Sequence, residues 1–368
     1  MTRRIRAAVL DQVPGKLEIE ELLIDDPGPE EVLVEVGYAG LCHSDLHEID
    51  GTFATQLPIV LGHEVVGRVA RIGSAVTEVN VGDLVVTCLS VFCGSCEYCV
   101  QGRLTLCVRR ARLQQDRPRP RLTRTDGSPV RATAGIGGFA EAVLVHQRGV
   151  VAVPDHIRPE TASILGCAVT TGMGAVLHSA SVRAGDTVAV VGLGGVGFAA
   201  VQAARLAGAS RIVGVDVVPE KLRRAADFGA TDVVNGREVD AVEAVRALTG
   251  GGVHHAFEAV GSGSTASQAF AMLRPGGTAT VMGMIPDSHT IAVSGSALFL
   301  EEKRIQGAFM GSNHFKVDVP LYAQFERMGL LRLGELVTSV VDLDTINQGF
   351  DALASGHEIR VVARIGRI

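Results

Sequence analysis

The 368-residue sequence has no tryptophan, three tyrosines and twelve phenylalanines, so its interior cannot rest on stacked aromatic rings. Apolar residues still make up 47% of it, and the abundance of Ala, Val and 44 Gly suits an α/β architecture with strands buried on both faces. Basic charge is not in excess: 34 Lys and Arg against 40 Asp and Glu leave a net charge of −6 (34 − 40), which argues against a nucleic-acid or membrane-surface partner. Long unbroken apolar runs are also missing. Met1–Leu10 carries arginines without a hydrophobic stretch of signal-peptide size, and the most apolar region, Val188–Ala209, is interrupted by glycines, Gln202 and Arg205. The length predicts two domains, and a cytoplasmic enzyme is the expectation.

The rhythm of the chain changes twice. Up to about residue 168 it reads as short strands punctuated by Gly and Pro, among them Ile5–Leu10, Glu31–Tyr38, Val65–Ile72 and Asp83–Thr87. Strands and helices then alternate. Predicted strands are Val188–Gly192, Ile212–Asp216, Asp232–Asn235, His255–Ala259 and Thr278–Met282. Predicted helices between them are Val196–Leu206, Glu220–Phe228, Val239–Leu248 and Ser264–Leu273. Such alternation implies βαβ units and a parallel sheet. After about Gly311 the irregular pattern returns, so a parallel-sheet domain (169–311) is expected to interrupt a β-rich one (1–168 and 312–368). Arg109–Arg131, with eight arginines, three prolines and no periodicity, reads as a solvated loop, or as an anion-contacting or interface loop.

Seven cysteines without a secretory signal point to metal sites rather than disulfides. Cys93, Cys96, Cys99 and Cys107 have the spacing C-x2-C-x2-C-x7-C. Four thiolates close a tetrahedral shell around Zn²⁺ and leave no position for a substrate, although an iron–sulfur cluster also takes four thiolates. Such a closed site is structural. Cys88, in the apolar run Leu84–Leu89, is the spare thiol and is expected to pack in the core.

A catalytic zinc needs three protein ligands and one vacancy. The remaining candidates are Cys42, His63 and Cys167, too scattered for spacing alone to join them. Around Cys42 the run Cys42-His43-Ser44-Asp45-Leu46-His47 combines thiol, hydroxyl, carboxylate and imidazole, types that can hold a metal and move a proton. Asp45 and Glu64 suit a role behind the ligands, because a ligating His usually donates its other N–H to a carboxylate.

The run Thr187–Gly197 is a strand entering Gly192-x-Gly194-x-x-Gly197, with Gly195 and Val196 inside it and a helix after it. Asp216 ends the next strand nineteen residues beyond Gly197. This is the arrangement that places a pyrophosphate on a helix N-terminus and an acid on the adenosine ribose, and the carboxylate favours NAD over NADP.

In combination these residues resemble the zinc-containing medium-chain alcohol dehydrogenases, along nearly the whole chain. Gly40–His47, Gly62–Glu64, the four-cysteine lobe, Gly166–Gly172 and Gly192–Gly197 occur in that family's order. The resemblance implies a GroES-like β-rich catalytic domain and a doubly wound Rossmann cofactor domain. It implies two Zn²⁺ per chain and NAD, with Cys42, His63 and Cys167 on catalytic zinc and Glu64 as an occasional further ligand. Ser44 and His47 match proton-relay positions, and His43 and Arg360 match residues that contact the cofactor pyrophosphate. Thr171 and Val196 would touch the nicotinamide, Lys221 the adenosine ribose, and Phe53, Leu89 and Phe139 would line the substrate pocket.

The implied reaction is reversible oxidation of a primary or secondary alcohol to an aldehyde or ketone in a homodimer. The alternative in the same family, oxidation of S-(hydroxymethyl)glutathione, is weakened because Ala111 stands between Arg110 and Arg112 near the expected glutathione-recognising arginine. A zinc-free enone or quinone reductase would need none of the seven thiols. A zinc-ribbon binding module would need no dinucleotide turn.

Overall fold

The computed structural model describes residues 2–115 and 117–368, so residue 116 of the arginine-rich stretch and residue 1 of the expected first domain lie outside it. The chain divides into two compact units, one running up to Cys167 and resumed by His314–Ile368, the other Ala168–Asn313. Among the described residues no single helix is long and apolar enough to cross a membrane.

In the first unit, Arg3–Leu10, Leu17–Ile24, Leu122–Thr123, Pro129–Ala132 and Ile59–Val60 close a small barrel. A seven-stranded sheet is built around Glu31–Leu41, whose valines alternate through a nearly continuous buried face. That strand pairs antiparallel with Glu64–Ile72 on one side; on the other it pairs with Ala142–His146 along its first half and Arg360–Arg364 along its second. The register decides the chemistry to come. Gly40 lies opposite both Glu64 and Val362, so the start of one strand, the end of another and Arg360 meet beside Cys42. The core is aliphatic, with Phe139 set edge-on to Phe350 at 5.7 Å.

The arginine-rich stretch departs from the solvated loop that its composition predicts. It holds a short helix, Arg110–Gln115, and the barrel strands Leu122–Thr123 and Pro129–Ala132. Arg117 pairs with Asp25 at 2.8 Å, Arg121 with Glu31 at 2.9 Å, and Arg124 with both Asp11 at 2.6 Å and Glu20 at 2.8 Å. Asp25 and Glu31 are buried. The carboxylates lie some 90 residues or more away in the chain, a complementarity that no local pattern shows. Buried charges of this kind persist only when paired and hydrogen-bonded.

In the second unit six parallel strands lie in the order Asp232–Asn235, Arg211–Asp216, Thr187–Val191, Val253–Glu258, Leu273–Val281 and Arg304–Gly307. The order reverses between Thr187–Val191 and Val253–Glu258. Val188–Val191 is fully or almost fully buried, and the helix Gly195–Leu206 covers it with small residues such as Ala199, Ala200, Ala203 and Ala204. Close packing of alanine and glycine thus takes the place that large aromatic side chains fill elsewhere.

Candidate metal centre and dinucleotide turn

Cys42 is the N-cap of helix His43–Asp50, bonded both ways with Asp45: the Asp45 amide donates to the Cys42 carbonyl at 3.1 Å, and the Cys42 amide donates to Asp45 Oδ2 at 3.1 Å. Asp45 is fully buried; its Oδ1 accepts the Gly62 amide at 3.0 Å and lies 3.3 Å from His63 Nδ1. One carboxylate therefore fixes the backbone before His63, the imidazole itself and the Cys42 turn. With Nδ1 committed to Asp45, His63 presents Nε2. Cys167 follows the short helical turn Ile164–Gly166. Ligand atoms of Cys42, His63, Glu64 and Cys167 all lie within 4.8 Å of one another.

The electrostatics of this cluster are those of a cation site. A hydrogen bond from the Cys167 thiol, aided by His63 and Arg360, holds Cys42 well below the usual thiol range despite its burial. Cys167 is raised in turn by that bond and by burial, so the two sulfurs share a proton where a divalent cation would replace it. Burial alone would lower His63, but Asp45 and Cys42 outweigh it and push it well above the ordinary histidine value. Glu64 is pushed up to about 7 by burial, opposed by the Arg360 guanidinium with which it pairs. Its second oxygen, Oε1, is buried without a hydrogen-bond partner. Two thiols, an imidazole and a spare carboxylate oxygen fit zinc.

Ser44 and His47 lie on the same helix, three residues apart and both half-buried, which puts them on neighbouring turns of one face. His47 Nδ1 has no hydrogen-bond partner, and its ring meets Phe53 edge-on at 5.5 Å. Leu89 is half-buried, whereas Phe139 is fully buried in the core. His43 is exposed at the start of the helix. Arg360 is buried and committed to Glu64, with its Nε left unpartnered.

The four remaining candidate ligands form a separate lobe. Cys93, Cys96, Cys99 and Cys107 converge, with sulfur separations of 4.0 Å (Cys93–Cys99), 3.5 Å (Cys96–Cys99) and 4.0 Å (Cys96–Cys107). A zinc tetrahedron with Zn–S near 2.3 Å has edges of about 3.8 Å, so the sulfurs already fit the ion. The Ser95 amide draws Cys93 down to about 5, while burial pushes Cys99 up to about 12. Arg148 secures the lobe, donating to the carbonyls of Cys93 and Phe92. Sequence reasoning missed Arg148, which lies more than 40 residues from the last ligand with no spacing signal. Cys88 is buried outside both clusters.

In the second unit the turn after Thr187–Val191 runs through Gly192 to the helix beginning at Gly195, with Gly194 as its N-cap. A side chain at Gly197 would place Cβ 1.8 Å from the Gly192 carbonyl oxygen, so only glycine closes this turn. Asp216 ends the neighbouring strand and braces the turn, its Oδ2 accepting the Leu193 amide at 2.6 Å and its Oδ1 the Val217 amide at 2.7 Å. Lys221 is buried in the helix Pro219–Phe228. Thr171 lies on helix Ala168–Gly174, which packs through Gly172 against the Val196 carbonyl.

Comparison with known proteins agrees with these two constructions. Residues 28–155 match the family described as alcohol dehydrogenase GroES-like domain, and residues 195–324 the family described as zinc-binding dehydrogenase. An NDMA-dependent alcohol dehydrogenase of Amycolatopsis methanolica is 37% identical over 98% of both chains. Among solved structures, an alcohol dehydrogenase zinc-binding domain protein from Burkholderia ambifaria has a TM-score of 0.95 at 34% identity, covering 100% of each chain. Benzyl alcohol dehydrogenase from Acinetobacter calcoaceticus has a TM-score of 0.91 at 31% identity, covering 99% of this chain and 100% of its own. The chain belongs to the zinc-containing medium-chain alcohol dehydrogenases.

Proposed function

We propose that this enzyme oxidises a small primary or secondary alcohol with NAD, using one catalytic and one structural zinc per chain. The observation that carries the reading is the cluster of Cys42, His63 and Cys167 with Asp45 behind it, in a unit that also holds a separate four-thiol lobe. Zinc held by Cys42, His63 and Cys167 would supply Lewis acidity to the alcohol hydroxyl, and NAD would supply the hydride acceptor. The chain's own residues do the rest. Asp45 orients His63, Ser44 receives the hydroxyl proton, and His47 passes it outward. Burial of the cluster keeps water from screening the charge. The test is zinc content measured alongside NAD⁺ reduction with aliphatic, benzylic and secondary alcohols. Fewer than two zinc ions per metal-replete chain, iron in their place, or no NAD⁺ reduction would overturn the reading.

A homodimer in the cytoplasm completes the proposal. Phe299 and Leu300 are 82% and 74% exposed beside the sheet-edge strand Arg304–Gly307, an apolar edge that suits a second copy. Seven cysteines without a disulfide suit a reducing compartment. Sedimentation at the mass of one chain would remove the dimer.

His47→Gln is expected to slow alcohol oxidation near neutral pH by roughly a hundredfold, the low end for general-base contributions, because zinc does most of the acidification. Much of the loss should return in alkali, where hydroxide replaces the imidazole. A pH–rate profile parallel to wild type would take His47 out of the relay. Asp216→Gly should raise KM for NAD⁺ by about tenfold or more and relatively improve NADP⁺, since a charge-assisted bond to the ribose is lost and a like charge removed. Wild-type preference for NADP⁺ would contradict it.

A further inference from the structure

Glu258 ends the strand Val253–Glu258 opposite Val191, the residue before the glycine turn. It therefore stands at the carboxyl edge of the sheet where the strand order reverses, the place at which open parallel sheets bind ligands. It is fully buried. Oε1 accepts three bonds, from the Val260 amide, the Gly261 amide and the Thr265 hydroxyl, each at 2.8 Å. Its main-chain carbonyl accepts the Met282 amide at 2.9 Å and the Gly283 amide at 3.2 Å. Oε2 is buried without a partner. One residue thus ties together the turns that follow two adjacent strands.

Those turns are packed backbone to backbone. A Cβ at Gly283 would lie 2.2 Å from the Gly261 amide nitrogen and 2.6 Å from Glu258 Oε2, so bare main chain borders the sheet edge here. The adenosine half of a dinucleotide belongs to the half-sheet that ends in Asp216, which leaves the half beginning with Val253–Glu258 for the nicotinamide half. Ribose hydroxyls and a carboxamide NH2 need acceptors at fixed places, and with the amides of these turns taken up by Glu258 it is their main-chain carbonyls that can provide them.

We propose that Glu258 is a positioning residue for the nicotinamide half of the cofactor, holding the Val260–Gly261 and Met282–Gly283 turns in the shape that receives it. The proposal rests on the nicotinamide-linked reading above. Its test is calorimetric titration of the zinc-loaded enzyme with NADH and with AMP, which carries only the adenosine half. Glu258→Ala should weaken NADH binding by roughly tenfold or more, the consequence of misplacing one or two hydrogen bonds, while AMP stays within about twofold. Glu258→Gln, which keeps an acceptor at Oε1, should recover most of the loss. Gly283→Ala should produce the same split by forcing the turns apart, and it carries the test if Glu258→Ala does not fold. Equal weakening of both ligands, or none of NADH, would overturn the role of Glu258. Wild-type protein that binds AMP but not NADH would overturn the cofactor reading itself.

Discussion

Cys42→Ser is expected to lower kcat by at least about a thousandfold while leaving the fold intact, because Lewis-acid stabilisation is worth several kcal/mol. The separation of effects follows from the two jobs of Cys42. As a metal ligand it offers a soft thiolate, and serine's hydroxyl is a poor replacement at neutral pH. As the N-cap of His43–Asp50 it exchanges main-chain bonds with Asp45, which do not pass through the sulfur, and serine is itself a favoured N-cap residue. The Asp45 contacts to Gly62 and His63 do not pass through the sulfur and should survive. Turnover, zinc content and melting temperature measured together decide the matter. Activity within tenfold of wild type would remove Cys42 from the catalytic ligands.

Cys93→Ser should act the other way, with one zinc lost and Tm lowered by about 10 °C or more, but kcat per folded molecule much less affected than in Cys42→Ser. Apart from the bonds of Arg148 to Cys93 and Phe92 and of His314 to the Gly102 carbonyl, the lobe has only a small core of its own. Its core is Cys96, Cys99 and Cys107, with Phe92, Cys93, Tyr98 and Leu104 against them. Its helices, Glu97–Val100 and Leu104–Leu106, are too short to be stable alone. Metal binding to such a lobe is folding free energy, and serine at Cys93 also weakens the acceptor for the Ser95 and Cys96 amides. An unchanged melting temperature with both zinc ions retained would show that the lobe is not a structural metal site.

Much of the second unit was readable along the chain. Asp232–Asn235 matches the predicted strand residue for residue, and helix Gly195–Leu206 begins one residue before its predicted start. Continuous apolar runs broken by glycine are local signals, and parallel strands buried on both faces produce them. The four-thiol lobe was equally legible, since its ligands fall within fifteen residues and a tetrahedral shell needs little more than a turn between them. The arginine-rich stretch was misread because its partners Asp11, Glu20, Asp25 and Glu31 come from strands and turns formed much earlier in the chain.

Residue types and short spacings thus carried the parallel sheet, the glycine turn and the thiol lobe, each of which is closed by neighbours in the chain. The open metal cluster is different. Cys42, His63 and Cys167 became a candidate set through family resemblance; strand register, Gly40 beside both Glu64 and Val362, brings the first two together, and the turn Ile164–Gly166, packed through Gly166 on the Thr87 carbonyl, delivers the third. The ion pair of Glu64 with Arg360 spans 296 residues, and Glu258 reaches its place at the sheet edge only once the strands are ordered. Burial and electrostatic pairing are properties of neighbours in space. Where those neighbours are distant in the chain, only the folded backbone can bring the charges, thiols and carboxylates within the few ångströms over which they act.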